Sequence, residues 1–313
     1  MEYNLIDIQK IETFLCAAES PSLSEAAKKL HLSQPTVSHQ IKVLEQELGA
    51  ALFMRRSTGL QMTEAGRLLI PWARRLLHDT KELKDMMASL QEGITGELRI
   101  SCSTTAGKYI LPQLAARFCK QYPAIKVRIL ACGPEHAALN LLEGEADIGV
   151  VSTEVNGTSL ESQVFFRDQI TLIAPADHSW LSRSSIEPQE ILEEPLILRE
   201  QSSGTRRVVL EELAKFDIGL DDLNVFMKLG NAEAIVRTVA AGYGVSFVSK
   251  LAAAYPLDRG NIVDVRIEGL NLMRTIYMVR KRLGQQHRPR DVFWSFIHDP
   301  ENADVIRLAE SQP

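Results

Sequence analysis

Apolar residues at helical spacing predict three short helices in the first fifty residues, over 7–19, 25–30 and about 34–48. Their inward faces are formed by Ile8, Ile11, Phe14, Leu15, Ala26, Ala27, Leu30, Val37, Ile41, Leu44 and Leu48. Ser33 is a good N-cap for the third helix, and Gly49 ends it because glycine adopts the left-handed conformation at low cost. A tight turn before the third helix is typical of a helix-turn-helix.

The next apolar pattern predicts a β-hairpin followed by one long helix. Residues 53–62 form two short strands with Ser-Thr-Gly at the tip, as in a wing, and Thr63 caps a helix reaching about residue 91. The apolar stripe of this helix consists of Ala65, Leu69, Trp72, Leu76, Leu83, Met86 and Leu90. Such a stripe must be covered, either by its own domain or, as we expect, by the same helix of a second copy.

After a break at 92–96, which we expect to act as a hinge, strands alternate with helices and predict an α/β domain with a largely parallel sheet. The expected strands are 98–103, 125–131, 146–151, 170–174, 196–198, 225–229, 245–248 and 275–279. The expected helices are 108–121, 135–142, 205–215, 232–241 and 291–297. The predicted domains are a winged helix-turn-helix over 1–62, a linker helix over 63–92, and an α/β domain over 93–313. In that domain, lobe I comprises 96–168 and 271–300, and lobe II comprises 169–270.

Composition and charge narrow the class of protein. The chain has 313 residues, and none of its segments approaches the ~18 uninterrupted apolar residues of a membrane span. Its first residues lack a basic start and an apolar run, so we expect a cytoplasmic protein without membrane attachment. The net charge is −5, yet Ser20 to His78 contain eight basic and four acidic residues. A basic patch on one module of an acidic chain indicates a DNA-binding head.

The order of motifs resembles the LysR-type transcriptional regulators over essentially the whole chain. The resemblance is strongest in Leu-Ser-Gln-Pro-Thr-Val-Ser-His-Gln-Ile over 32–41, followed by Leu44-Glu45, Leu48-Gly49, Leu52-Phe53, Arg55-Arg56 and Thr63-Glu64-Ala65-Gly66. Residues 101–112 resemble the family's first effector-binding strand and helix. Residues 199–206 resemble a loop of members that control carbon fixation and sulfur assimilation. The chain departs from the family at His39, where many members carry Arg, and at Met62, where Leu is usual.

The resemblance implies a fold and a set of partners. The fold is an all-α winged helix-turn-helix with a long linker helix, then a two-lobed α/β effector domain like the periplasmic binding proteins. The implied partners are promoter DNA, a second copy of the chain in a homodimer or homotetramer, and a small anionic metabolite held between the lobes. RNA polymerase is a further candidate partner. We expect no cofactor other than the effector.

The candidate DNA-binding residues lie on the third helix and the wing. They are Ser33, Gln34, Pro35, Thr36, Ser38, His39, Lys42, Arg55 and Arg56. Side chains at the start of a recognition helix reach base edges in the major groove, whereas Lys42, Arg55 and Arg56 are better placed for phosphates, with the wing touching the minor groove. The alternative is a solvated helix start and ordinary surface salt bridges.

The candidate effector-binding residues precede or begin helices. They are Ser103, Thr104, Thr105, Gln201, Ser202, Ser203, Gly204, Thr205 and Asn231. Hydroxyls and free amides at helix N-termini suit an anion, so we expect a sulfur oxyanion or a small carboxylate. The alternative is plain N-capping, which Ser, Thr and Asn perform in any α/β protein. Lys108 and Arg206 either neutralise the effector or lie in solvent.

Other functional classes find little support in the sequence. The four cysteines, Cys16, Cys102, Cys119 and Cys132, form no C-x-x-C pair, so neither a disulfide framework nor a metal site is predicted. Cys102 beside the expected cleft is a redox sensor or, as we favour, an inert thiol. Because no catalytic signature such as a P-loop, G-x-S-x-G or H-E-x-x-H occurs, we expect no enzyme. A transporter's solute-binding protein would lack the DNA-binding head. The effector, the target genes and the choice between activator and repressor stay open.

Overall fold

The computed structural model describes residues 6–56, 59–92, 94–102, 105–155, 157, 159–282 and 288–310. Contacts divide the chain into two compact units. The N-terminal unit is Met1–Gly93 with Leu142–Glu145, and the effector unit is Ile94–Leu141 with Ala146–Pro313. Among the described helices, none is long and apolar enough to cross a membrane.

The N-terminal unit contains four helices and one hairpin among its described residues. These elements are α1 (Ile8–Ala18), α2 (Leu23–Lys29), α3 (Gln34–Leu48), β1 (Phe53–Arg56), β2 (Gly59–Met62) and α4 (Glu64–Glu92). The side chains of Asp7, Ser22 and Ser33 each accept a backbone N–H of the helix that follows, which satisfies donors that a helix start leaves free. Buried Ile11, Phe14, Leu44, Leu52 and Ala73 form the core, so α4 is anchored to the helix-turn-helix.

The apolar residues of α4 divide into a covered set and an exposed set, and this corrects the predicted stripe. Ala65 and Leu69, which we expected in an intermolecular seam, pack with Ile70 and Leu77 against the core of their own unit. The residues on the exposed face are Leu68, Trp72, Leu76, Leu83 and Met87. Ala65 and Leu69 precede Leu83 and Met87 by eighteen residues, or five full turns, so the stripe keeps to one side of the helix, and the core of the N-terminal unit covers only its first residues. The side chains of Met86 and Leu90 lie outside the described residues.

The described part of the effector unit is a mixed sheet with helices on both faces. Its strands are β3 (Gly96–Cys102), β4 (Ile125–Ala131), β5 (Ile148–Val151), β6 (Leu160–Pro175), β7 (Leu196–Arg199), β8 (Val225–Leu229), β9 (Val245–Ser249), β10 (Ile262–Val265) and β11 (Met273–Lys281). Its helices are α5 (Thr105–Gln121), α6 (Pro134–Leu142), α7 (Gly204–Leu213), α8 (Ala232–Ala240), α9 (Lys250–Asp258), α10 (Arg288–Phe296) and α11 (Ala303–Glu310).

One long strand, β6, runs through both lobes of this unit, and the segment between β10 and β11 makes the second connection. The strand order is β4-β3-β5-β11-β6-β9-β7-β8, and β10 pairs with β6. The first half of β6 pairs with β11, while its second half pairs with β9 and β10. Lobe I therefore holds β3, β4, β5, β11 and the first half of β6, and lobe II holds the second half of β6 with β7 to β10. The parallel strand pairs lie within single lobes. In lobe I, β3 pairs with β4 and β5, and in lobe II, β7 pairs with β8 and β9.

Each lobe has its own hydrophobic core. In lobe I, buried Leu98, Ile100, Phe118, Met278 and Phe293 belong to one cluster, which also contains Val305 of α11. In lobe II the sheet is covered on both faces, because neighbours along a strand, such as Leu172 and Ile173 of β6, belong to different clusters. The chain passes between the lobes at Asp168 of β6 and at Arg274 of β11, which are cross-strand partners, and this place is the strand crossing of β6 and β11.

Candidate functional site

The turn between α2 and α3 fixes the start of the recognition helix. His31 takes a left-handed conformation with φ 55°, and the Leu32 N–H donates to the Ala27 carbonyl at 2.9 Å. The Ser33 hydroxyl accepts the Thr36 N–H at 3.2 Å and also lies 2.7 Å from the Thr36 hydroxyl. Ser33 therefore acts as the helix cap, and the direction of α3 is set by local hydrogen bonds.

The outer face of α3 presents the predicted DNA-reading side chains. Gln34, Pro35, Thr36, His39 and Lys42 are exposed, and Ser38 is half-buried. The residues on the opposite face, Val37, Ile41 and Leu44, are buried. Because the two sets occupy different faces, the polar row can contact base edges without disturbing the core.

One carboxylate of α3 holds the hairpin in place. Glu45 Oε1 accepts the Leu52 N–H at 2.7 Å and the Phe53 N–H at 3.2 Å, at the point where β1 begins. On the other side of the hairpin, the Thr63 hydroxyl donates to the Ala51 carbonyl at 2.6 Å. Glu45 was missed as a positioning residue, although Leu44-Glu45 stands in the motif. Arg55 and Arg56 lie on β1, and their side chains are outside the described residues.

Ion pairs reduce the effective charge of the predicted basic patch. Lys28 pairs with Glu25 at 2.8 Å, and this hydrogen bond lowers the pKa of Glu25. Arg74 of α4 pairs with Glu19 at 3.0 Å. Lys42, in contrast, forms no ion pair with any residue that the structure describes. Of these three cations, Lys42 is therefore the one whose charge stays available to phosphates.

Both lobes of the effector unit line one pocket of about 250 Å³. Lobe I contributes Lys108, Cys132 and Gly133, and lobe II contributes Arg199, Glu200, Ser202, Gly230, Asn231, Ala232 and Glu233. These residues follow the carboxyl ends of β4, β7 and β8, where open α/β sheets place their ligands. A larger cavity of about 400 Å³ lies beside β6 and β10 and is lined from lobe II and the adjoining start of β11. We regard the smaller pocket as the functional candidate because it joins the lobes and gathers charged groups.

Each carboxylate of the inter-lobe pocket accepts hydrogen bonds from another side chain. Arg199 Nε and Nη2 donate to the two carboxylate oxygens of Glu200, each at 2.8 Å. The Tyr109 hydroxyl of lobe I donates to Glu233 Oε1 of lobe II at 3.2 Å, so this bond spans the cleft. Burial, followed by the charge of Glu233, raises the pKa of Tyr109 to about 12.

The predicted effector residues are divided among several roles. Ser202 and Asn231 line the pocket, although the Asn231 side chain also caps α8 by accepting the Glu233 and Ala234 N–H groups. Gln201 lies in an exposed turn, and buried Ser203 caps α7 by accepting the Arg206 N–H at 3.4 Å. Ser103 and Thr104 lie outside the described residues. Thr105 begins α5, and its side chain is likewise outside them.

Gly204 and Thr205 lie beside a buried polar network at the strand crossing. Arg274 Nε of β11 donates to Asp168 Oδ2 of β6 at 2.6 Å, and the two residues are cross-strand partners. Arg274 Nη1 donates to the Thr205 hydroxyl at 3.0 Å. Ser249 donates to Asp168 Oδ1 at 2.6 Å. At Gly204, a Cβ would lie 2.2 Å from the Ser152 hydroxyl, so α7 approaches lobe I too closely for a side chain there.

This network was not predicted from the sequence. The sequence does contain an indication of it, because a charged residue stands just before each of two apolar strand segments. Asp168 precedes Ile170–Ala174, and Arg274 precedes the apolar part of β11. Charges in such positions are stable only when paired, so each implies a partner. Arg207 Nη2 adds a further link between the lobes by donating to the Ser152 carbonyl at 2.9 Å.

Cys132 lines the pocket, and Cys102 does not. The Cys132 thiol lies 3.2 Å from the Ser101 hydroxyl, whereas Cys102 is buried in the lobe I core. Because successive residues of a strand face opposite sides, Cys132 lies on the Ser101 face of β3 and Cys102 on the other. This arrangement gives no support to a redox pair between the two thiols.

The head and the two-lobed unit define a DNA-binding transcriptional regulator with a ligand-binding domain. Residues 8–67 match the bacterial regulatory helix-turn-helix protein domain of the lysR family, and residues 91–300 match the LysR substrate binding domain. An HTH-type transcriptional regulator of Methanocaldococcus jannaschii is 33% identical over 290 residues, which cover 93% of this chain and 98% of the relative. The chain belongs to the LysR family of transcriptional regulators, and the predicted family and fold class are confirmed.

Two further similarities concern carbon metabolism and ligand binding. A probable RuBisCO transcriptional regulator of Nostoc sp. is 28% identical, covering 97% of this chain and 93% of the relative. The regulatory domain of Synechocystis PCC6803 CcmR, solved in complex with 2-PG, is 25% identical with a TM-score of 0.60 and covers 70% of this chain and 100% of that chain. The first of these similarities agrees with the carbon-fixation resemblance of residues 199–206.

Proposed function

We propose that this regulator binds a small anionic effector between its lobes, and that the effector changes how a dimer sits on promoter DNA. The observation that carries the proposal is the pocket of about 250 Å³ to which both lobes contribute residues. A ligand that touches both lobes favours a closed arrangement over an open one by its differential affinity. The crossing of β6 and β11 is where such a closure would bend.

The chemistry around the pocket favours an anionic ligand. Lys108, in the first turn of α5, supplies a positive charge to the pocket wall, and the start of α8 lines the same pocket. Sulfur oxyanions and small carboxylates are the leading candidates. The CcmR domain in complex with 2-PG adds that compound to the candidates, since that domain has the same fold.

The experiment is a thermal-shift titration of the full chain with sulfate, sulfite, small carboxylates and 2-PG, because a ligand that binds the native state raises its melting temperature. Lys108→Ala should weaken the strongest response, and Lys126→Ala, an exposed lysine on β4 away from the pocket, should leave it unchanged. Equal responses of both variants and the parent would place the effector elsewhere.

We further propose that α4 pairs with α4 of a second copy. Its exposed apolar face includes Trp72, 64% exposed, and Leu68, 67% exposed, which is unusual for a monomer in water. A two-fold dimer would match an inverted repeat whose half-sites lie about one helical turn apart, ~34–36 Å, or a multiple of that distance.

The assembly is tested by sedimentation of the full chain at micromolar concentration. Trp72→Glu should shift the protein toward monomers, because buried aromatic residues contribute about 2 kcal/mol or more to an interface. Lys81→Glu changes an exposed position of the same helix and serves as the control. A parent protein that sediments as a monomer contradicts this part of the proposal.

A further inference from the structure

The carboxylates of the inter-lobe pocket restrict the ligand more than its positive charges do. Two basic residues, Lys108 and Arg199, share the pocket wall with Glu200 and Glu233. A site for a bare anion would be expected to present donors and cations only, since a carboxylate repels an anionic ligand. Whether each carboxylate is already paired within the protein therefore decides which class of ligand the pocket binds.

The negative charge of Glu200 is compensated by Arg199, its neighbour in the chain. Both of its oxygens are engaged by the Arg199 guanidinium, in the two-point geometry that makes such pairs strong. Arg199 is itself buried at 9% exposure, so the pair is a fixed part of the wall. This pair offers a ligand little net charge of either sign.

The carboxylate of Glu233 has capacity to accept further hydrogen bonds. Its partner across the cleft, Tyr109, is a neutral phenol that donates one hydrogen bond to Oε1. A phenol is neutral at pH 7, and burial and the charge of Glu233 raise the pKa of Tyr109 further, to about 12, so this partner adds no positive charge. A carboxylate has about four lone-pair positions, so one phenolic donor leaves most of them open to a ligand.

We infer that the effector is an amino or hydroxy acid, or a similar compound that carries an N–H or O–H donor beside its anionic group, and that Glu233 selects it. In this arrangement the anionic group meets Lys108, and the donor meets Glu233, which also accepts the Tyr109 hydroxyl. This inference rests on the proposed effector site and names the class of its ligand. A pocket of about 250 Å³ also leaves room for a carbon skeleton beyond a single oxyanion.

The test compares matched ligands that differ only in the donor. Isothermal titration calorimetry on the full chain would use three series: succinate, malate and aspartate; ethanesulfonate, isethionate and taurine; 3-phosphooxypropanoate, 3-phosphoglycerate and phosphoserine. In the series that binds, the hydroxyl or amino member should bind about tenfold more tightly than the donor-free member, as expected for one charge-assisted hydrogen bond.

Two variants locate the preference. Glu233→Gln should reduce the advantage of the donor-bearing ligand about tenfold, and the donor-free ligand should bind equally or more tightly. Tyr109→Phe, which keeps the carboxylate, should preserve the preference. Glu211→Gln, an exposed position on α7 away from the pocket, is the control and should behave as the parent does.

The outcomes separate this inference from the proposed function. If donor-free anions bind as tightly as their partners, or if Glu233→Gln leaves the preference intact, the ligand class is wrong while the inter-lobe site stands. If no member of the three series binds the parent protein, the inference and the proposed small-anion function are both overturned.

Discussion

The start of α3 and the start of α7 both present Ser and Thr side chains in the first turn of a helix, and they differ in what surrounds those side chains. On α3, the row that includes Thr36 and His39 faces solvent. On α7, Ser203 and Thr205 are 3% and 1% exposed, and their hydroxyls accept bonds from the helix itself and from Arg274. The same residue types are therefore free to contact a partner such as DNA at one helix start, and they are engaged within the protein at the other.

The difference shows that burial decides the role of a polar helix start. A solvated hydroxyl loses little when it exchanges water for a base or phosphate, so α3 is suited to binding. A buried hydroxyl that lost its partner would leave an unsatisfied group, so the start of α7 is suited to stability. The experiments below test this division from the largest expected effect to the smallest.

The largest effect is expected at the strand crossing. Arg274→Met leaves the fully buried Asp168 without its main counter-charge and should lower the free energy of unfolding by about 3–5 kcal/mol. Chemical denaturation of the full chain followed by circular dichroism measures this change. Arg183→Met removes one partner of an exposed ion pair with Glu190 and should have no measurable effect. Similar stabilities of the two variants would contradict a structural role for the Arg274 network.

An intermediate effect is expected at the base of the wing. Glu45→Ala removes the acceptor for the Leu52 and Phe53 N–H groups and should destabilise the N-terminal unit by about 1–3 kcal/mol. Hydrogen exchange at the amides of Leu52 and Phe53 should accelerate. Glu12→Ala, an exposed position on α1, provides the matched control. Unchanged exchange at both amides would show that the wing is held by other contacts.

The smallest effects are expected on the exposed face of α3, and they should divide by chemistry. Lys42→Ala should weaken binding to all DNA sequences alike and reduce the slope of log affinity against log salt by about one, because one phosphate contact is lost. His39→Ala should change the preference at one base pair by about 1–3 kcal/mol. Fluorescence anisotropy over a salt series with mutated operators measures both quantities. A reversed pattern would exchange the two assignments.

The sequence predicted the N-terminal unit well because its signals are local. Caps such as Ser33, the left-handed Gly49 and the apolar period of α3 all act within one element. The effector unit was predicted less completely. The first half of β6, residues 160–168, was missed because Glu161, Ser162 and Gln163 interrupt its apolar pattern. Helices α9 and α11 and strand β10 were also missed, since they are short and their packing comes from distant strands.

The candidate sites show the same contrast between features within one element and contacts between distant elements. The recognition face of α3 could be predicted because a helical period separates its inner and outer positions. The pocket could not, because Tyr109 and Glu233 stand 124 positions apart and meet only after both lobes have formed. Thr205 was predicted to bind the ligand because nothing near it in the sequence indicates its buried partner, Arg274, which lies 69 positions away. Polar residues at helix starts are visible in a sequence, but the partners that occupy them are not.

The pairing of β6 with β11 makes lobe II an insertion within lobe I. Asp168 and Arg274 are opposite each other on neighbouring antiparallel strands, so the chain enters and leaves lobe II at points roughly 5 Å apart. In topological terms, lobe II is the connection of a β-hairpin in lobe I, folded into a domain of its own.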